Sequence, residues 1–102
     1  MASICSIALR QLRSPKEYVA SDARYRSVRE GLKQDVVPPI QVEPLADGTF
    51  RIQDGVRRAV AAREMGRATI FAEVVRPTPG AAQTIPLAAV KLGRVQAHGS
   101  DR

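Results

Sequence analysis

The chain has 102 residues, 44% apolar, 25% charged and only 4% aromatic, with 16 basic against 10 acidic side chains and a formal net charge of +6. That suits one small soluble domain whose core is drawn from Val, Ile, Leu and Ala; no apolar run approaches the roughly 20 residues of a membrane span and no basic-then-apolar leader opens the chain, so the expected location is cytoplasmic. A single cysteine, Cys5, and a single histidine, His98, exclude an internal disulfide and a zinc site of the usual kind.

Ser6 to Leu12 (SIALRQL) has the look of a short half-buried strand, with Cys5 at its start as a small buried hydrophobe. Ser14-Pro15-Lys16-Glu17 combines a capping serine, a proline at the first helical position and a glutamate three residues after the cap, which predicts a helical turn through Tyr18. A second helix start at Ser21-Asp22 leads into Tyr25, Val28 and Leu32 at spacings of three and four, an amphipathic helix ending near Lys33. Pro38-Pro39 forces extended chain into Ile40-Gln41-Val42, and Asp47-Gly48 turns it back through Thr49 to Gln53, a hairpin. QDGVRRAVAAREMG, beginning at Gln53, reads as strand end, Asp54-Gly55 turn and helix, closed by Gly66. Thr69 to Val75 is the clearest β segment, and the ordered core is expected to end near Arg76. Residues 77–102 read as a linker, an extra strand over Ile85 to Leu92 and a disordered tail. SIALRQL and TIPLAAV share a faint likeness, as two equivalent edge strands would. Ile52, Val60, Ile70, Val74 and Leu32 are the expected core.

The charge favours polyanionic partners, although 13 of the 16 basic residues are Arg, which a GC-rich genome also produces. The sharper signal is the Asp54-Gly55 turn. The first N–H groups of the helix after it have no intrahelical acceptors and carry the positive end of the helix dipole, which makes an anion site. Arg57 and Arg58 lie in that first turn, where cations oppose the dipole. Phosphate binding gives their placement a reason; solvation, or pairing with Asp54, Asp47 or Glu43, is the plainer alternative.

The order IALRQLRSPKEYV, Arg-rich helix, VVPPIQVEPLADGTFRIQDGVRRAVAAREMG and TIFAEVV resembles the N-terminal domain of the ParB/sulfiredoxin superfamily over residues 4–76. The resemblance rests on Pro39-Ile40, Asp47-Gly48, Ile52 to Ala62 and Ile70 to Val75. It implies an α+β fold, a small mixed sheet with two main helices. It also implies a nucleotide-phosphate site formed by Gly55, Val56, Arg57 and Arg58, with Ala61 and Ala62 packing the helix on the sheet. A nucleoside triphosphate with Mg²⁺ is the expected cofactor and a DNA-associated or effector system the expected setting; the shortness of the chain adds the expectation of a partner protein docking through residues 77–102.

The departures from the pattern narrow the function. Sulfiredoxins carry a reactive cysteine after the turn glycine, where this chain has Val56, so reduction of a sulfinic acid is not expected. Chromosome-partitioning ParB proteins have a GERRxRA box; here Val56 replaces the glutamate and Val60 the second arginine, and the downstream Glu-Asn motif and helix-turn-helix are missing. Free-serine kinases of this fold have a DGHHR turn and a glutamate base on the early helical segment, a place that Glu17 could take, with Asp54 as metal ligand. The capping box is the plainer role for Glu17, and a turn or N-cap role for Asp54. The leading reading is a domain binding nucleotide or nucleic-acid phosphates at DGVRR; the alternative is a small-molecule kinase or nucleotide hydrolase using Glu17 and Asp54. Superfamily members are often labelled ParB-like nucleases, but no clustered carboxylates are present to hold two metals.

Overall fold

The computed structural model describes residues 3–21, 23–34, 37–77 and 83–93. In chain order the elements are β1 (Ser3–Ala8), a 3₁₀ turn (Leu9–Gln11), β2 (Leu12–Ser14), β3 (Tyr18–Ala20), α1 (Ala23–Lys33), β4 (Ile40–Pro44), β5 (Phe50–Asp54), α2 (Val56–Glu64), β6 (Thr69–Val74), β7 (Ile85–Pro86), a second 3₁₀ turn (Leu87–Ala89) and β8 (Lys91–Gly93). Six strands form a mixed sheet in the order β1-β6-β4-β5-β2-β7, while β3 and β8 pair separately in parallel. This is the expected α+β class. Among the described residues no helix is long and apolar enough to cross a membrane.

Alternation along the strands decides which face is buried. Ile40 and Val42 of β4, Ile52 of β5 and Ala72 of β6 are fully buried, beneath α2, against which α1 packs. The helix α2 contributes Ala59, Val60, Ala61 and Ala62, and the small alanines let its backbone approach closely; α1 contributes Tyr25 and Leu32. Burial pushes the Tyr25 phenol above its ordinary pKa. Of the five expected core positions, Ile52, Val60 and Leu32 are buried, whereas Ile70 and Val74 are only half-buried. Both lie on β6, next to the terminal strand β1, where helix cover runs out. On the opposite face Glu43 is buried too, accepting from Arg51 Nη1 at 2.6 Å and Gln53 Nε2 at 3.1 Å.

Gly66 ends α2 as predicted. Its φ of +78° allows the Gly66 N–H to reach the Arg63 carbonyl and the Arg67 N–H the Ala62 carbonyl, the paired bonds of a Schellman cap.

Four expectations are corrected. No helical turn forms at Ser14–Glu17: the Ser14 hydroxyl accepts from the Lys16 N–H at 3.0 Å, two residues on rather than three, and the chain continues as strand β3. Glu17 is therefore not a capping-box residue. The first strand breaks at Leu9, and Cys5 lies on β1 exposed to solvent instead of packed. Ile85 to Leu92 is not one strand but two, separated by a 3₁₀ turn. The core also does not end near Arg76, because Leu87 and Val90 are buried against it. Arg63 of α2 donates to the Leu87 carbonyl at 2.7 Å and to the Val90 carbonyl, and Arg13 of β2 donates to Thr84, fixing this segment to the domain. The expected disordered tail from His98 lies outside the described residues.

The likeness of SIALRQL to TIPLAAV has a structural counterpart. In each a strand runs into a 3₁₀ turn and out into another strand, and the closing N–H, of Leu12 or Val90, returns to the carbonyl of Leu9 or Leu87. The two turns pack against each other.

A candidate phosphate site at the start of the second helix

Gly55 is the N-cap of α2, with φ +108°, and no side chain caps the helix. That left-handed conformation is strained for any residue with a Cβ. A Cβ at Gly55 would also fall 2.5 Å from Ile40 Cγ2 and 2.8 Å from Ile40 Cβ, inside the core strand β4. The glycine is thus required twice over, by backbone geometry and by packing. The first intrahelical bond is from the Ala59 N–H to the Gly55 carbonyl, so the N–H groups before it point out of the helix end.

In front of this helix end is a cavity of about 460 Å³. It is lined by Gln53 to Arg58, by Pro15, Lys16 and Tyr18 to Ala20, and by Arg24, Val28, Val37 and Pro38. Among the described residues four cationic ones line it, Lys16, Arg24, Arg57 and Arg58, against one carboxylate, Asp54. Such a balance makes the interior electropositive, and the helix dipole adds in the same sense.

The predicted site residues separate into three groups. Gly55, Val56, Arg57 and Arg58 are together in the cavity lining. Arg58 is held by three acceptors, for its Nη1 donates to the Pro38 and Pro39 carbonyls, both at 2.8 Å, and its Nη2 to Asp54 Oδ2 at 3.1 Å. It ties the loop entering β4 to the start of α2. Asp54 is the last residue of β5 and faces Arg58, one turn on, rather than the helix N–H groups, so it is not the N-cap. Glu17 is brought to a different place. It borders a separate surface cavity with Ile85, Ala89 and Lys91, and its carbonyl accepts from the Lys91 N–H at 2.9 Å. The two carboxylates of the kinase reading do not share a cavity. No group of three or more His, Cys, Asp or Glu that could hold a metal ion occurs among the described residues.

Sequence reasoning missed Lys16 and Tyr18, which line the cavity. Both belong to the segment whose capping pattern predicts a helix; Tyr18 opens β3 and Lys16 lies in the irregular stretch before it. A third cavity, of about 330 Å³ beside Ile4 and Phe71, holds one cation, Arg67, which donates to the Leu32 carbonyl.

The chain belongs to the ParB N-terminal domain family, whose profile it matches over residues 4–96. Among solved structures it is similar to the C-terminally truncated chromosome-partitioning protein ParB from Caulobacter crescentus complexed with CTP-gamma-S, at 22% identity and a TM-score of 0.62 over 76% of this chain. The match covers 46% of that chain, so the present chain spans about half the length of that ParB. It is also similar to sulfiredoxin from Arabidopsis thaliana, at 23% identity and a TM-score of 0.60, covering 74% of this chain and 88% of that one. No curated protein matches the sequence. At these identities the two structures show the fold alone.

Proposed function

We propose that this domain binds a nucleoside triphosphate with its phosphates on the N-terminus of α2. One observation carries the reading: an uncapped helix end, a left-handed glycine and four cationic residues converge on one cavity in which the carboxylate of Asp54 is paired with Arg58. Gly55 allows close approach, the N–H groups after it receive phosphate oxygens, and Arg57, Lys16 and Arg24 neutralise them. Arg58 positions the turn. The similar ParB crystallised with CTP-gamma-S supports a nucleotide as ligand. The volume does so as well, because about 300–1,000 Å³ is the range of small-molecule sites and a duplex needs an open face. Mg²⁺ enters this reading on the nucleotide's own oxygens, since Asp54 is the only carboxylate lining the cavity among the described residues.

Binding rather than catalysis is the function proposed, because Glu17, the candidate base, is outside the cavity. A thermal-shift screen of ATP, CTP and GTP against their nucleosides and against short single- and double-stranded DNA, with and without Mg²⁺, tests it. A bound triphosphate at a hundred times its Kd adds about 2.7 kcal/mol, which is about 10–20 °C in Tm for a domain of this size. Triphosphates should stabilise the domain and nucleosides should not. Stabilisation by DNA alone would contradict the reading.

A further inference from the structure

The sheet ends in two edges, and they are built differently. β7 is two residues long and ends in Pro86, which has no N–H to offer, so that edge is blunt. β1 is six residues long, SICSIA, with no charge, proline or glycine, in a chain of which a quarter is charged. Among the described residues its only strand partner is β6. An uncharged edge of that length is a template for another strand. Ile4 (61% exposed) and Phe71 (66% exposed) lie beside it, two of the three large apolar side chains left in solvent among the described residues. The register pairs Ile4 with Glu73 and Ser6 with Phe71, which makes Ile4 and Phe71 diagonal neighbours on one face.

We propose that β1 is the seam of a homodimer, in which a second copy adds its own β1 antiparallel about a two-fold axis through Cys5. Keeping the helix-covered faces of both copies on the same side requires facing residues of the same parity, because side chains alternate. The register centred on Cys5 sets Cys5 opposite Cys5, and Ile4 of each copy opposite Ser6 of the other. The cross-strand row then runs Phe71, Ser6, Ile4 of the second copy, Glu73 of the second copy. The small serine lets that isoleucine reach Phe71, so both exposed apolar groups are covered. A register centred on Ser6 faces serine with serine and covers neither. This inference does not depend on the nucleotide reading.

Cys5 is the reporter. Facing residues of an antiparallel pair have Cα atoms about 4.5–5.5 Å apart, within disulfide reach, whereas two Ser6 positions in this register are further than the roughly 7 Å limit. Under diamide, which takes the two electrons and two protons of the paired thiols, the wild-type chain should form a covalent dimer of twice 11.1 kDa. Cys5→Ser/Ser6→Cys should crosslink at least tenfold more slowly. Reduced wild-type protein should sediment as a dimer, and Ser6→Lys or Ile4→Lys, each shown by circular dichroism to be folded, as a monomer. A wild-type monomer at high micromolar concentration, open-ended aggregates, a dimer that persists in both lysine variants, or faster crosslinking through position 6 would each overturn the proposal.

Discussion

The chain contains two Asp-Gly turns seven residues apart, and they do different work. At Asp47-Gly48 the glycine has φ +87° and open space where a Cβ would be, and the aspartate closes the hairpin locally, accepting from the Thr49 N–H and hydroxyl. At Asp54-Gly55 the glycine has φ +108° and is pressed against Ile40, while the aspartate reaches one turn along the helix to Arg58. The first turn is tied to its own neighbours and the second to the core and the next element. A dipeptide that makes a free-standing loop in one place thus makes a packed helix start in another because of what its Cα touches.

This contrast predicts a ranking of effects. Gly55→Ala should be the most damaging, combining about 1–2 kcal/mol for the left-handed backbone with about 1–3 kcal/mol for overpacking on Ile40, read in denaturant melts. Next comes Arg58→Ala, which removes the donor to two proline carbonyls; about 1–3 kcal/mol of stability should go with it, and loss of nucleotide binding without loss of stability would show that its ties to Pro38 and Pro39 are incidental. Gly48→Ala should lose only the backbone term, about 1–2 kcal/mol. If it proved as harmful as Gly55→Ala, packing against Ile40 would not distinguish the turns. The smallest effect is that of Asp47. The Thr49 hydrogen bonds hold its carboxyl below the usual range, so its support of the hairpin is present at neutral pH and is lost only as pH falls through that lowered value. An acid titration of Asp47→Asn beside the wild type should show the two stabilities converging there.

Much of the fold was legible because local and tertiary demands agree. The Asp54-Gly55 turn, the hairpin and both long helices carry turn residues and periodicities that the packed structure also needs. Ser14 to Glu17 shows the opposite. Its Ser-Pro-x-Glu pattern fits a helix start, yet no run with helical period follows it, and pairing of Tyr18–Ala20 with Lys91–Gly93 settles the segment as strand. That partner lies far along the chain, beyond any local signal. The burial of Leu87 and Val90 was hidden for the same reason, since the arginine that ties down their carbonyls belongs to α2. In the site, the uncapped start of α2 was legible from Gly55 and the helix that follows. That Arg58 is held by Pro38 and Pro39 was not, because proline carbonyls look like any others in a sequence.

The central claim, that phosphates bind at the start of α2, is tested most directly by calorimetric titration of a nucleoside triphosphate into the wild type and Arg57→Ala. A charge-assisted hydrogen bond lost from phosphate is worth about 1.5–3 kcal/mol, so the variant should bind roughly ten- to a hundredfold more weakly at a temperature where circular dichroism shows both proteins folded. Equal affinity in the two proteins would contradict the account and move the phosphate away from this helix.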